Sequence, residues 1–269
     1  MSEIEDFRDR ARAAMVAMRS VFPATPLLRN DHLSKKFDAD IWLKREDLSP
    51  VRSYKLRGAF NAMRRAQGAT LFVCASAGNH AQGMAYMCRH FGVRGVIFMP
   101  VTTPQQKVQK TRMFGGENVE IRLVGDYFDA TLAAAQAFCA AEGAHFLSPF
   151  DDDDVIEGQA SVAVEIEAQL GRLPDHVILP VGGGGLSSGV VSYFGDACHY
   201  TFVEPAGAPS FARALEAGAP VDVSPVDNFV DGAAVAKIGA RTFARLRGVD
   251  PADVVHLAED RICVTINEM

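Results

Sequence analysis

Apolar and polar residues follow one another along this chain in two rhythms. Short apolar runs, "TLFVCAS", "GVIFMP", "NVEIRLV" and "AHFLSP", are separated by longer stretches with helical spacing: one from Asn79, then "TPQQKVQKTRMF" and "YFDATLAAAQAFCAAE". Strands alternating with helices of ten or more residues predict βαβ units and a parallel sheet. Upstream, "MSEIEDFRDRARAAM" is helical in pattern and the prolines of "FPATPLLRN" break structure. "DHLSKKF" then restarts a short helix near Asp31, and "DIWLKRED" reads as a strand. From Tyr54 the positions Leu56, Ala59, Phe60 and Met63 recur at helical spacing with Ser53 as N-cap, which puts Lys55 in a helix's first turn. After "FDDDDVIEG" the alternation resumes with helix "SVAVEIEAQL", strand "HVILPV", helix "LSSGVVSYF" and strand "YTFVEP". No internal repeat or low-complexity linker interrupts it.

The 269 residues, 48% hydrophobic and 22% charged, suffice for one large or two moderate domains with real cores. A formal net charge of −6 argues against nucleic acid or an anionic membrane as a partner, since both call for clustered positive charge. No apolar run approaches membrane-spanning length, and the acidic N-terminus lacks the order of a signal peptide. The five cysteines form no CxxC pair and leave one over, so neither a disulfide framework nor a metal site is indicated; a reducing cytoplasm is expected.

Three features carry candidate chemistry. "VILPVGGGGLSSG" runs from an apolar strand through Gly182, Gly183, Gly184 and Gly185 into a helix at Leu186, so that backbone amides and a helix N-terminus converge where a phosphate would sit. It is neither a Walker A loop nor a G-x-G-x-x-G fingerprint, because no Gly-Lys-Ser/Thr follows and position 187 is serine. "SAGNHAQG", residues 76–83, is a second strand-to-helix junction. It offers amides from Gly78 to His80 and the side chains of Ser76, Asn79, His80 and Gln82 to a carboxylate. The third feature is Lys55. In a first turn it faces the unfavourable end of the helix dipole, with Arg52 and Arg57 as like charges nearby, so its neutral, nucleophilic amine is favoured. "DDDD", residues 151–154, is read as helix N-terminal acid rather than a calcium loop, because Ile156 stands where that loop needs glycine.

A phosphate cradle, a carboxylate cradle and an activated lysine describe a pyridoxal 5'-phosphate site acting on an amino acid. "TPL", "KRED", "SYKLRGA", "SAGNHAQG", "GGGGL", "EPAGA" and "DGAAV" occur in an order that resembles the threonine dehydratases (threonine ammonia-lyases), tryptophan-synthase-β-type enzymes of fold type II. The resemblance implies an α/β, two-domain fold in which a parallel-sheet small domain, 59–150, is inserted in a larger α/β cofactor domain built from 1–58 and 151–269. It implies that Lys55 holds the cofactor covalently and removes the Cα proton, with Tyr54 against one face of the ring and Asn79 on the ring hydroxyl. Gly182, Gly183, Gly184, Gly185 and Leu186 would bind the phosphate; Ser76, Ala77, Gly78, Asn79 and His80 would bind the substrate carboxylate. The implied reaction is β-elimination from L-threonine, giving 2-oxobutanoate and ammonia, and also from L-serine, in isoleucine biosynthesis. A cytoplasmic homo-oligomer is expected, with the amino-acid substrate as partner and no metal.

Departures from the family pattern sharpen these expectations. Serine racemases carry a serine where Ala77 stands, so racemisation should be weak. Glu204 and Ala208 remain of a divalent-cation loop, but Ser210 replaces an acid. "GQASV" replaces "GQGT" as a packing change. The chain stops where the family continues, which implies an incomplete second segment, a cofactor pocket open toward the pyridine nitrogen, and weak activity in isolation. A β-replacing synthase and a non-catalytic module of the same fold are the alternatives.

Overall fold

A computed structural model of the chain describes residues 3–268. Its first segment holds α1 (Glu3–Met18), β1 (Leu27–Arg29), α2 (Asp31–Phe37), β2 (Trp42–Lys44) and α3 (Lys55–Arg65). The strand expected across "DIWLKRED" is only three residues long. It pairs antiparallel with β1, which arises inside the stretch read as broken by proline. Pro26 sits just before β1, where its missing N–H costs nothing to the ladder.

The alternating part folds as its pattern predicts. β3 (Leu71–Ala75), α4 (Asn79–Phe91), β4 (Arg94–Met99), α5 (Gln105–Gly115), β5 (Val119–Leu123), α6 (Phe128–Glu142) and β6 (His145–Phe146) form a parallel sheet in the order β5-β4-β3-β6. Its central strands are buried on both faces, as crossover helices require. Phe72, Cys74, Ile97 and Met99 enter a core shared with α3 and α4, while Val73, Ala75, Val96 and Phe98 face α6.

The rest comprises α7 (Asp153–Leu170), β7 (His176–Pro180), α8 (Gly185–Phe194), β8 (His199–Pro205), α9 (Ser210–Ala217), α10 (Ala240–Leu246), β9 (Val254–Leu257) and α11 (Glu259–Glu268). The helix expected from Ser161 begins eight residues earlier, because the Asp152 side chain accepts the Val155 amide and caps it. β7, β8 and β9 make a second parallel sheet. One face packs Leu179 and Phe202 into the core beneath α7 and α8, each buried side chain of this kind contributing roughly 1.5–3 kcal/mol. The opposite face stays open, with Ile178 70% exposed.

The helices that carry the candidate motifs are stacked through glycines at backbone contact. A Cβ on Gly158 of α7 would lie 2.5 Å from the Arg57 carbonyl of α3, and one on Gly189 of α8 would lie 2.7 Å from the Ile156 carbonyl of α7. α3, α7 and α8 therefore cross too closely for any side chain between them. Gly158 explains why "GQASV" keeps its glycine, while Ala160 is small enough to sit under α8.

Candidate active site

Lys55 opens α3, as its sequence position predicts, but Ser53 does not cap it. Tyr54 already has helical dihedrals and occupies the cap position. Ser49 secures the turn instead, its hydroxyl donating to the Ser53 carbonyl and accepting the Ser53 amide, each at 2.9 Å. The Ser53 hydroxyl is left buried with no partner among the described residues. Lys55 Nζ donates to the Pro149 carbonyl at 2.8 Å and lies 5.5 Å and 5.8 Å from the ring centroids of Tyr54 and Phe150. Burial pushes the amine down to about 8 and the Tyr54 phenol up to about 12. The direction for Lys55 is the expected one; the cause is corrected. Arg52 is exposed in a left-handed conformation, and Arg57 is fully occupied elsewhere.

Arg57 has no exposed surface and sits behind Lys55 in a cluster that sequence reading did not find. Its guanidinium donates to Glu46 at 2.7 and 2.8 Å, to Glu165 at 2.8 and 2.9 Å, and to Ser161 and Thr25 at 3.0 Å. Lys44 Nζ reaches Glu165 at 2.6 Å, and Arg19 also contacts that carboxylate. Burial alone would raise the Glu165 carboxyl, but hydrogen bonds from Arg57 and Lys44 outweigh it and hold the group down at about 2. Thr25 of "TPL", Lys44 and Glu46 of "KRED" and Arg57 of "SYKLRGA" thus meet in one buried ionic cluster.

The glycine loop leads into α8 as expected. Gly184 has φ +85°, a conformation that favours glycine, and a Cβ there would press on Thr242. A Cβ on Gly182 would lie 2.9 Å from the Ala233 carbonyl of "DGAAV", and one on Gly183 would fall inside the Phe150 ring. The amides of Gly182, Gly183, Gly184, Gly185 and Leu186 donate to no acceptor among the described residues, although all but Gly182 are buried. Buried donors of this kind call for an anion.

The Ser76–His80 loop is a second uncapped helix start. Gly78 precedes α4 with no side-chain cap, and the amides of Ala77, Asn79 and His80 have no acceptor among the described residues. Gly78 itself, expected to offer a free amide, donates to Ser76 Oγ at 3.2 Å. Asn79 is exposed, with its side chain unbonded among the described residues. His80 is buried and hydrogen-bonded at Nε2 to the Leu147 carbonyl at 2.9 Å; burial and the nearby Lys55 hold it down to about 3, so it stays neutral. The helix that the loop opens meets Lys55 directly: Gly83 of α4 lies against the Lys55 backbone, where a Cβ would be 3.3 Å from its carbonyl.

One short segment, 147–151, ties these parts together. Its carbonyls take His80 and Lys55, and Phe150 lies on Gly183. Asp151 accepts the amides of Ala240, Arg241 and Thr242 at the start of α10. Thr242 in turn donates to the Gly183 carbonyl at 2.8 Å. The acidic run is therefore helix-capping, Asp151 for α10 and Asp152 for α7. Glu204 on β8 does similar work: its carboxylate accepts the Phe211 and Ala212 amides at 2.7 and 3.0 Å, and burial raises it.

The family described as pyridoxal-phosphate dependent enzyme matches residues 19–269. The chain belongs to that family. Within it, the chain is 46% identical over 258 residues to the biosynthetic L-threonine dehydratase of Bacillus subtilis, covering 94% of this chain and 61% of that protein. It superposes on the processed form of threonine deaminase isoform 2 from Solanum lycopersicum with a TM-score of 0.90 and 36% identity, over 98% of this chain and 73% of the other. A second solved threonine deaminase, from T.th., aligns with a TM-score of 0.87 and 31% identity, over 95% and 83%. The chain spans about 61% of the length of the first of these relatives. The residues present fit the family's cofactor, pyridoxal phosphate. Unpaired buried amides suit its phosphate, and an amine of lowered proton affinity between two aromatic rings suits its aldehyde.

Proposed function

We propose that the protein deaminates L-threonine to 2-oxobutanoate and ammonia, and L-serine to pyruvate, by β-elimination on pyridoxal phosphate in isoleucine biosynthesis. The observation that carries this reading is Lys55: a half-buried amine at the start of α3, whose backbone packs against Gly83 of α4, the helix that the Ser76–His80 loop opens, and which a single aromatic ring separates from the glycine loop. When bound, the cofactor supplies an aldehyde for the substrate amine and a ring that spreads the charge left at Cα. Lys55 is assigned to hold that aldehyde and to take the Cα proton at Nζ; its lowered proton affinity supports both. Gly182, Gly183, Gly184, Gly185 and Leu186 are assigned to the phosphate, and Tyr54 and Asn79 to the ring. The loop Ser76, Ala77, Gly78, Asn79 and His80 is assigned to the substrate carboxylate, supported by its free amides and uncapped helix start. Ala77 brings no hydroxyl to the site, which supports elimination over racemisation.

The insertion of a small domain, 59–150, between 1–58 and 151–269 belongs to the same reading. It is supported by the four-stranded sheet lying wholly inside that stretch. Assembly as a homo-oligomer belongs to it too, as does work in the cytoplasm, the latter supported by four buried cysteines that stay unpaired. Among the described residues no helix is long and apolar enough to cross a membrane. The test is ammonia and 2-oxobutanoate release from L-threonine with pyridoxal phosphate and no second substrate. Turnover that needs an added nucleophile would replace this reading with a β-replacing synthase.

A further inference from the structure

Phe150 was not singled out by any motif, yet it touches both halves of the candidate site. Its ring centroid lies 5.8 Å from Lys55 Nζ, and the same ring occupies the space a side chain on Gly183 would need. Its own backbone closes on Gly185, where a Cβ would sit 3.1 Å from Phe150 Cα. The ring is fixed from both ends of its peptide. On one side Pro149 accepts the Lys55 amine; on the other Asp151 caps α10, whose Thr242 holds the Gly183 carbonyl. The Tyr54 ring also lies near the amine, but the atoms that crowd the glycine loop come from Phe150, Ala233, Thr242 and Ile238.

We propose that Phe150 is a positioning residue that sets the separation between Lys55 Nζ and the anion cradle and keeps water from the amine. This rests on the reading that Lys55 and the glycine loop serve one ligand. An apolar ring beside an amine offers no charge to stabilise an ammonium beyond a weak cation–π attraction, while it excludes the water that would. Against the glycine loop the same ring acts as a backstop: Gly183 cannot move toward Lys55 without meeting it. The titratable groups that face the amine are the Tyr54 phenol, pushed up to about 12, and His80, held down to about 3. Neither changes charge across the neutral range, so a titration there reports Lys55 itself.

The test compares the unsubstituted chain with Phe150→Ala and Phe150→Leu, all free of cofactor. Lys55 Nζ is labelled by reductive methylation across pH and read by peptide mass spectrometry. Equilibrium binding of pyridoxal 5'-phosphate and of pyridoxal, which lacks the phosphate, is measured beside it. Phe150→Ala should move the labelling midpoint up by about one pH unit or more, and should shrink the preference for the phosphorylated compound about tenfold. Phe150→Leu, still an apolar wall, should keep the midpoint near that of the unsubstituted chain. A midpoint and a binding preference unchanged in folded Phe150→Ala would overturn the proposal. Failure of both variants to fold would also overturn it, by making Phe150 part of the scaffold alone. If the midpoints shift as stated but threonine is not deaminated, the positioning role stands and the substrate reading falls.

Discussion

Lys55 and Arg57 lie two residues apart at the start of α3, the first half-buried and the second fully buried, and their surroundings treat them in opposite ways. Lys55 meets one backbone carbonyl and two aromatic rings, and its amine falls to about 8. Arg57 meets two carboxylates and two hydroxyls, and its guanidinium is held charged more firmly than in water. Both cations are crowded by protein; only Arg57 is supplied with carboxylates. A buried cation becomes reactive where counter-charge is withheld and becomes structural where it is provided, and one helical turn is enough to separate the two outcomes.

The sharpest way to break this contrast is to exchange the consequences of removing each residue. Lys55→Ala should abolish covalent capture of pyridoxal phosphate and lower ammonia release by at least about 10²–10⁴-fold, the worth of one positioned acid–base group. Its thermal unfolding should stay close to that of the unsubstituted protein, since alanine suits an early helix position. Retained activity would sink the assignment.

Arg57→Met should do the reverse and act first on stability. Leaving the buried Glu165 and the partly buried Glu46 without their main cation should cost about 3–5 kcal/mol in urea unfolding. Arg57→Lys should recover only part of that, because one ammonium cannot fork to two carboxylates. A loss no larger than that of a surface pair, below about 1 kcal/mol, would show the cluster to be solvated.

Two titrations sharpen the contrast with smaller effects. The Lys55 amine has a folded pKa of about 8, below its ordinary 10.5. In that window the unfolded chain binds more protons, so cofactor-free stability should rise with pH from about 8 to 10.5, and Lys55→Met should flatten the rise. Glu165 has the same sign in a different window: its folded pKa of about 2 lies below the ordinary 4.5, so its stabilising contribution is present above 4.5 and is lost as pH falls toward 2. Glu165→Gln should remove that acid dependence in denaturation measured over the same range. A Glu165→Gln protein with an unaltered acid profile would assign the loss to other carboxylates.

Much of the site was legible because its parts are local. A glycine run after a strand, a lysine in a first turn and a strand-to-helix junction at Ser76 each need only a few neighbouring residues to be read. What escaped depends on distance in sequence. Glu165 lies 108 residues from Arg57, and Pro149 lies 94 residues from Lys55, so no spacing rule links them. The same limit explains the wrong reason given for Lys55: dipole and neighbouring arginines were visible, whereas the walls that bury it were not. Ser53 failed as a cap because Ser49, four residues earlier, took its backbone groups. β1 was missed and β2 was read too long because three-residue strands leave almost no periodicity to detect.

The ionic cluster also imposes an order on synthesis. Arg57 leaves the ribosome long before Glu165, and until α7 arrives its guanidinium has only Glu46 of its two final carboxylate partners. Neutralising it fully means closing a loop of more than a hundred residues, the kind of contact that slows folding. α3, and with it Lys55, should therefore settle late, as a joint event with α7. Nascent chains arrested before Glu165 should leave α3 open to protease, and chains arrested beyond Leu170 and clear of the exit tunnel should protect it. The helix that carries the Lys55 amine thus reaches its final position only once the frame around it is complete.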